Sequence, residues 1–180
     1  LPMSALQLAA QAARLLGEPT ATAETGPWRI TLDHPSFGPF MQHSRRRELR
    51  ERLYRAYITR ASGGDFDNTP LITQILKLRQ EMARLLEYSN YADLSLATKM
   101  ASGVQAVATL HEKLRVASFD RAHREFQELK EFSKTHAELQ IATDTETMEL
   151  QHWDVSFWAE RLREDRYSFS EEELRPYFPL

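Results

Sequence analysis

The sequence predicts a mainly α fold, a multi-helix array with about one short β-strand, on three observations. Apolar residues recur every three or four positions over most of the chain, the spacing that gathers them on one helix face. A single stretch, Trp28, Ile30 and Leu32 against Arg29, Thr31 and Asp33, alternates with the period of a half-buried strand. Glycine and proline cluster between these stretches, where they punctuate turns.

Residues 3–17 form the first predicted helix: Leu6, Ala9, Ala10, Ala13 and Leu16 share one face, and Gly17 supplies a left-handed stop. Residues 18–27, rich in Thr, Pro and Gly, read as a loop before the strand at 28–33. Pro35, Gly38 and Pro39 then break the pattern. One strand cannot pair its own backbone groups, so its partner is expected in a segment outside the recognised elements. The second helix runs from Arg45 to Ala61 on Leu49, Leu53 and Tyr57, and Ser62 to Asp65 is a turn. The third opens at Asn68 or Thr69 with Pro70 in its first turn. Its residues Leu71, Ile75, Leu78, Met82 and Leu85 make the clearest amphipathic stripe in the chain.

Asn90 to Met100 is a short helix. After Ser102 and Gly103 a long one runs from Val104 to about His136, with Val107, Leu110, Leu114, Phe119, Ala122, Phe126, Leu129 and Phe132 facing one side. Thr143 to Thr147 reads as a loop, and Asp154 to Asp165 as a helix packing through Val155, Phe157, Trp158 and Leu162. Ser170 with Glu171, Glu172 and Glu173 caps a last short helix that Pro176 stops. The whole of 1–180 is expected to be a single helical segment. The apolar ending Tyr177 to Leu180 and the Leu1-Pro2 start read as cuts in a longer chain.

The charge balance, 23 basic against 26 acidic residues for a net −3, offers no general attraction to nucleic acid or to an anionic membrane. There is no cysteine, which excludes disulfides and thiolate metal sites. No apolar run approaches the roughly 20 residues that span a bilayer. None of the six glycines stands in a phosphate-binding pattern, and no Gly-x-Ser-x-Gly elbow occurs.

Four groups of residues invite a chemical reading. A helical zinc site needs two histidines four residues apart with a glutamate beside the first. His111-Glu112 begins correctly, but cationic Arg115 stands where the second histidine must be, and His123 fails likewise at Gln127. His34, His43, His136 and His152 have no ligand spacing. The arginine run Arg45, Arg46, Arg47, Arg50, Arg52 and Arg55 suggests phosphate contacts. Interleaved Glu48 and Glu51 favour instead a solvated, ion-paired helix face. Trp153, Phe157, Trp158 and Tyr167 suit a core better than a ligand-binding wall. From the residues alone, catalytic residues are none, metal ligands are none, and a substrate-binding set is unknown.

Longer motifs carry more. Trp28 to Arg60, Asp67 to Leu85, Tyr88 to Ala101, and Trp153 to Tyr167 followed by Glu173 to Leu180 resemble, in the same order, the middle of the thimet oligopeptidase and oligopeptidase A family of zinc metallopeptidases. The oligopeptidase A branch is the more similar, and 104–148 aligns by helical character alone. The resemblance implies a two-lobed helical fold around a deep channel and the hydrolysis of short peptides in cytoplasm or organelle. It implies a zinc ion held by an H-E-x-x-H helix and a further glutamate, with a tyrosine and a histidine supporting the oxyanion. All those elements are expected beyond residue 180, so no catalytic role carries over to any position here. The expectation is a segment of a zinc oligopeptidase whose cofactor is zinc in the parent enzyme and none in this segment. Its expected partners are short peptides through the full-length enzyme and the missing catalytic half. The alternative is a non-enzymatic helical interaction module derived from a truncated peptidase.

Overall fold

A computed structural model describes residues 1–141 and 149–167. Among them are seven α-helices: α1 (Met3–Arg14), α2 (His34–His43), α3 (Arg47–Ile58), α4 (Thr69–Leu85), α5 (Tyr91–Leu96), α6 (Val104–Thr135) and α7 (His152–Arg166). Single 3-10 turns lie at Gly64–Phe66 and Ala137–Leu139. The fold is mainly α. The predicted loop at Thr143–Thr147 and the helix after Ser170 lie outside the described residues.

Two compact units divide the chain, one of Leu1–Ile58 with the residues from Phe126 onward, the other of Thr59–Glu125. In the first, α7 packs on α2 and α3, and α2 also meets α1. Phe157 and Trp158 of α7 are buried with Leu129 and Phe132 of α6, and Leu139, Leu150, Val155 and Leu162 close around them. The rings meet edge to face: Phe157 and Trp158 have centroids 5.1 Å apart at 81°, Phe132 and Trp158 6.2 Å apart at 78°. That geometry sets the positive edge of one ring on the negative face of the next. A smaller cluster of Ala10, Ala13 and Ala21 lets the loop after α1 approach closely, where Arg14 Nη1 donates to the Ala21 carbonyl at 2.6 Å.

Helix α2 is an addition to the sequence reading, which took Pro35 and Pro39 as breaks. Pro35 stands in the first turn, where its missing N–H has no intrahelical acceptor to lose. The Ser36 and Phe37 N–H groups donate to the Asp33 carbonyl at 2.9 and 2.8 Å and close that turn. Pro39 lies inside the helix.

The alternating stretch Trp28–Leu32 forms no strand among the described residues; only isolated bridges occur, Thr22 with Gly26 and Arg46 with Ile141. Its polar groups find single partners instead. The Arg29 N–H donates to the Ala9 carbonyl, the Trp28 indole N–H to the Ala23 carbonyl, and the Thr31 N–H to Ser36 Oγ. Alternation shows that one face can be buried, whereas a strand also needs a neighbour along its edge.

In the second unit α4 packs on α5. Asn90 caps α5, its side-chain oxygen accepting from the Asp93 N–H at 3.0 Å. Ala83 is the one fully buried residue of this unit.

Candidate functional site

The densest polar chemistry in the first unit joins α3 to α7. Arg50, wholly buried, donates through Nη2 to Asp154 Oδ1 at 2.7 Å and to Gln140 Oε1 at 2.9 Å. Its Nη1 donates to the Ser44 carbonyl at 2.7 Å and its Nε to the Trp153 carbonyl at 3.2 Å. The guanidinium also lies 4.2 Å from the centroid of the Phe157 ring. Arg47 takes the other side of the carboxylate, with Nη2 2.8 Å from Asp154 Oδ2, and reaches the Glu149 carbonyl at 3.1 Å. Asp154 in turn accepts from the Gln151 N–H at 3.1 Å and completes the capping box that starts α7.

Burial pushes the Arg50 guanidinium down from its ordinary value, and its hydrogen bond to Asp154 opposes that shift. A buried charge persists only when paired and hydrogen-bonded, and each of these groups is. A carboxylate shared by two guanidinium groups has no lone pair directed at a substrate, so the cluster is a clamp between helices.

A second cluster lies where the end of α2 meets α7. Side-chain ligand atoms of His43, Glu160 and Glu164 fall within 4.8 Å of one another. The two glutamates are one helical turn apart, on the same face. Arg161 is already in this space: its Nη2 donates to His43 Nδ1 at 3.1 Å and to Glu164 Oε1 at 2.8 Å, and its Nε is 2.8 Å from Glu164 Oε2. Arg163 holds Glu160 through two bonds of 3.0 and 2.6 Å. The donor set resembles that of a zinc site, but the residues do not fit the ion. A guanidinium stands among the ligands as the cation, and His43 Nδ1 is spent as its acceptor.

Burial first, and the Arg161 charge second, hold His43 below its usual 6.5, against a smaller opposite pull from Glu160 and Glu164. The sign of the pH effect follows. With a folded value below the unfolded one, the unfolded chain binds more protons over the interval between them, so stability falls as pH drops below about 6.5. Replacing His43 by Gln is expected to flatten the unfolding midpoint between pH 7 and 5 in urea titrations. An unchanged slope would assign the acid sensitivity to other groups.

Of the residues singled out from sequence, Arg47 and Arg50 fall in the first cluster and His43 in the second; the incomplete zinc motif lies apart from both. His111, Glu112 and Arg115 are exposed on α6, and Arg115 binds Glu112 through bonds of 2.8 and 2.7 Å. That pairing occupies the glutamate a zinc site would use as base. His34, His123 and His152 are exposed, and His136 stacks on Phe132 at 4.1 Å. The arginine run needs a correction. Arg55 pairs with Glu51 as the spacing predicts, but Arg50 and Arg47 turn inward to Asp154, and Arg45 donates to the Glu138 and Leu139 carbonyls. The face is therefore only partly solvated. Of the aromatic group, Phe157 and Trp158 are core, whereas Tyr167 is exposed.

The stretch from Trp28 to Ala56 also borders an apolar groove of about 920 Å3, lined by Leu6, Leu16, Trp28, Phe40, Leu49 and Leu53 among others. It offers shape and apolar surface but no group poised for a reaction. Arg52 and Glu18 stand in its lining as its charged members beside Arg29.

Comparison with known proteins decides the family. Residues 40–180 match the model of peptidase family M3. The chain belongs to that family. Over its whole length this M3 chain is 57% identical to a probable cytosolic oligopeptidase A of Arabidopsis thaliana, of which it covers 25%. It is also 57% identical to the organellar oligopeptidase A, chloroplastic/mitochondrial, of the same plant, of which it covers 22%. The oligopeptidase A of Haemophilus influenzae is 39% identical over 99% of the chain, which spans 25% of that protein. The M3 chain thus spans about a quarter of the length of these relatives, and its likeness to the thimet oligopeptidase and oligopeptidase A group extends beyond the motifs that first suggested it. Among its described residues no helix is long and apolar enough to cross a membrane.

Proposed function

We propose that these 180 residues are a non-catalytic helical segment of a zinc-dependent metallo-oligopeptidase that hydrolyses short peptides. The observation that carries this reading is the 57% identity along the whole chain to two oligopeptidases of which it covers only about a quarter. Identity of that level along the whole chain supports a local structure shared with the matching segment of those relatives. The site chemistry is consistent with a supporting role. Both groupings that approach a zinc donor set, at His111 and at His43, already hold an arginine as their cation. On this reading zinc, the water it activates and the oxyanion donors belong to the remainder of the peptidase, the partner this segment supports.

The helices would then act on catalysis by holding shape, which is what the Arg47–Asp154–Arg50 clamp does for α3 and α7. Relatives with cytosolic and organellar descriptions support a place in either compartment. The test is hydrolysis of a quenched fluorescent peptide of about ten residues, with zinc and then chelator, since metal-assisted hydrolysis needs an open coordination position. The chain alone is expected to show no turnover. The same residues placed in the matching quarter of a complete oligopeptidase A are expected to leave the enzyme active. Chelator-sensitive turnover that follows the purified chain would overturn the reading.

A further inference from the structure

Helix α4 carries the most regular apolar pattern of the chain, and that pattern is uncovered. Leu71, Ile75, Leu78, Met82 and Leu85 are all between 42% and 83% exposed. At 3.6 residues per turn they fall within an arc of about 80° of the helix. Helix α5 covers a different side, where Ala83 is fully buried and Arg79 lies 5.0 Å from the Tyr91 ring centroid. The unit that contains α4, Thr59–Glu125, has Ala83 as its one buried residue. Burial of apolar side chains is the main favourable term in folding, and this unit has scarcely any of its own.

The spacing of the stripe, four, three, four and three, is the 3.5-residue repeat of a helix–helix seam. Leucine holds the positions 71, 78 and 85 in one half of the repeat; Ile75 and Met82 hold the other. Arg79 and Glu81 flank the seam with one charge of each sign, Arg79 one residue after Leu78 and Glu81 one residue before Met82. A surface of that form accepts another α-helix at a shallow crossing angle of about 20°.

We infer that this stripe is the seam for an α-helix with its own aliphatic 3.5-residue repeat, supplied by the part of the peptidase polypeptide outside these 180 residues. The inference rests on the reading that the chain is a segment of a longer oligopeptidase. Two observations choose that occupant over a second copy. The relatives are about four times as long as the chain, which leaves ample polypeptide to supply a helix. Helix α4 has 17 residues, about two heptads, short of the three to four that sustain a free-standing coiled coil. A helix in the same polypeptide meets the seam at an effective concentration near the millimolar range, and so needs no such length.

These 180 residues have no cysteine, so within them a single introduced thiol reports its own position. Leu78→Cys and, as a gentler second variant, Met82→Cys are each placed in the isolated chain and in the complete A. thaliana oligopeptidase A carrying these 180 residues. Labelling by a thiol reagent is read by peptide mass mapping. Both thiols are expected to react at least tenfold more slowly in the complete protein, while Lys77→Cys, about 120° around α4 from the centre of the seam, stays reactive in both. A photo-crosslinker attached at Glu81→Cys, beside the seam, is expected to join a helix outside the 180 residues. Equal labelling in both settings overturns the inference. So does a crosslink that lands inside these residues, or labelling of the isolated chain that slows with concentration, which would make a second copy the occupant. Peptide hydrolysis by the complete protein is read in parallel. Protected thiols without hydrolysis overturn the functional reading and keep the seam; hydrolysis with unprotected thiols does the reverse.

Discussion

Replacing Asp154 with alanine is expected to destabilise the chain by about 3–5 kcal/mol, the usual cost of breaking a buried ion pair from one side. The carboxylate is the shared acceptor for Arg47 and Arg50 and for the Gln151 N–H that starts α7. Without it the wholly buried Arg50 guanidinium keeps its carbonyl partners and Gln140 but loses its counter-charge. A small domain holds about 5–15 kcal/mol in all, so the variant would retain only part of its cooperative unfolding. The pair itself need not be favourable relative to apolar side chains, because both charges leave water on folding. The double change Asp154→Leu with Arg50→Met is therefore expected to recover much of the loss. Urea unfolding followed by far-UV circular dichroism reads both outcomes. An Asp154→Ala midpoint equal to that of the parent would mean that the clamp contributes nothing to holding α3 on α7.

The clamp was not legible in the sequence. Arg47 and Arg50 sit in a run of six arginines with interleaved glutamates, and local spacing gives such a run to solvent. Their partner lies more than a hundred residues away, with no periodicity to connect them. The cluster of His43 with Glu160 and Glu164 was hidden for the same reason: one ligand is on α2 and two are on α7. Glu160 and Glu164 at i and i+4 were a visible half-signal, and the contact of α2 with α7 was not. Because the prolines of α2 read as breaks, the helix that carries His43 was absent from the sequence reading altogether.

Helices with local signals are legible in the sequence. The Gly17 stop beyond α1 and the proline in the first turn of α4 lie where the pattern places them, and the short helix predicted from Asn90 to Met100 begins there but ends at Leu96. Periodicity states that a face will be covered and is silent on what covers it. The stripe of α4, the strongest in the sequence, is exposed in the chain by itself, whereas α7 carries the buried core through two adjacent aromatics with no clean stripe. The motif resemblance supplied what periodicity lacked, since it pointed to a larger protein in which such a face has a partner.

Trp158→Ala is expected to cost about 3–5 kcal/mol, as large aromatic truncations in a packed core do. Trp158 is 1% exposed and meets Phe132 and Phe157 edge to face, so its removal leaves a void that three elements border. Trp158→Phe keeps a ring in the site and is expected to cost less than half as much. The contrast that makes the test specific is Trp28→Ala. Trp28 is 47% exposed and holds one hydrogen bond, to the Ala23 carbonyl, so its loss is expected to cost about 1 kcal/mol. Because Trp158 stands one helical turn beyond Asp154 on α7, the two truncations share neighbours, and the double variant should fall short of their sum. Equal effects at Trp28 and Trp158 would show that the cluster of α6 and α7 is not the core around which the first unit folds.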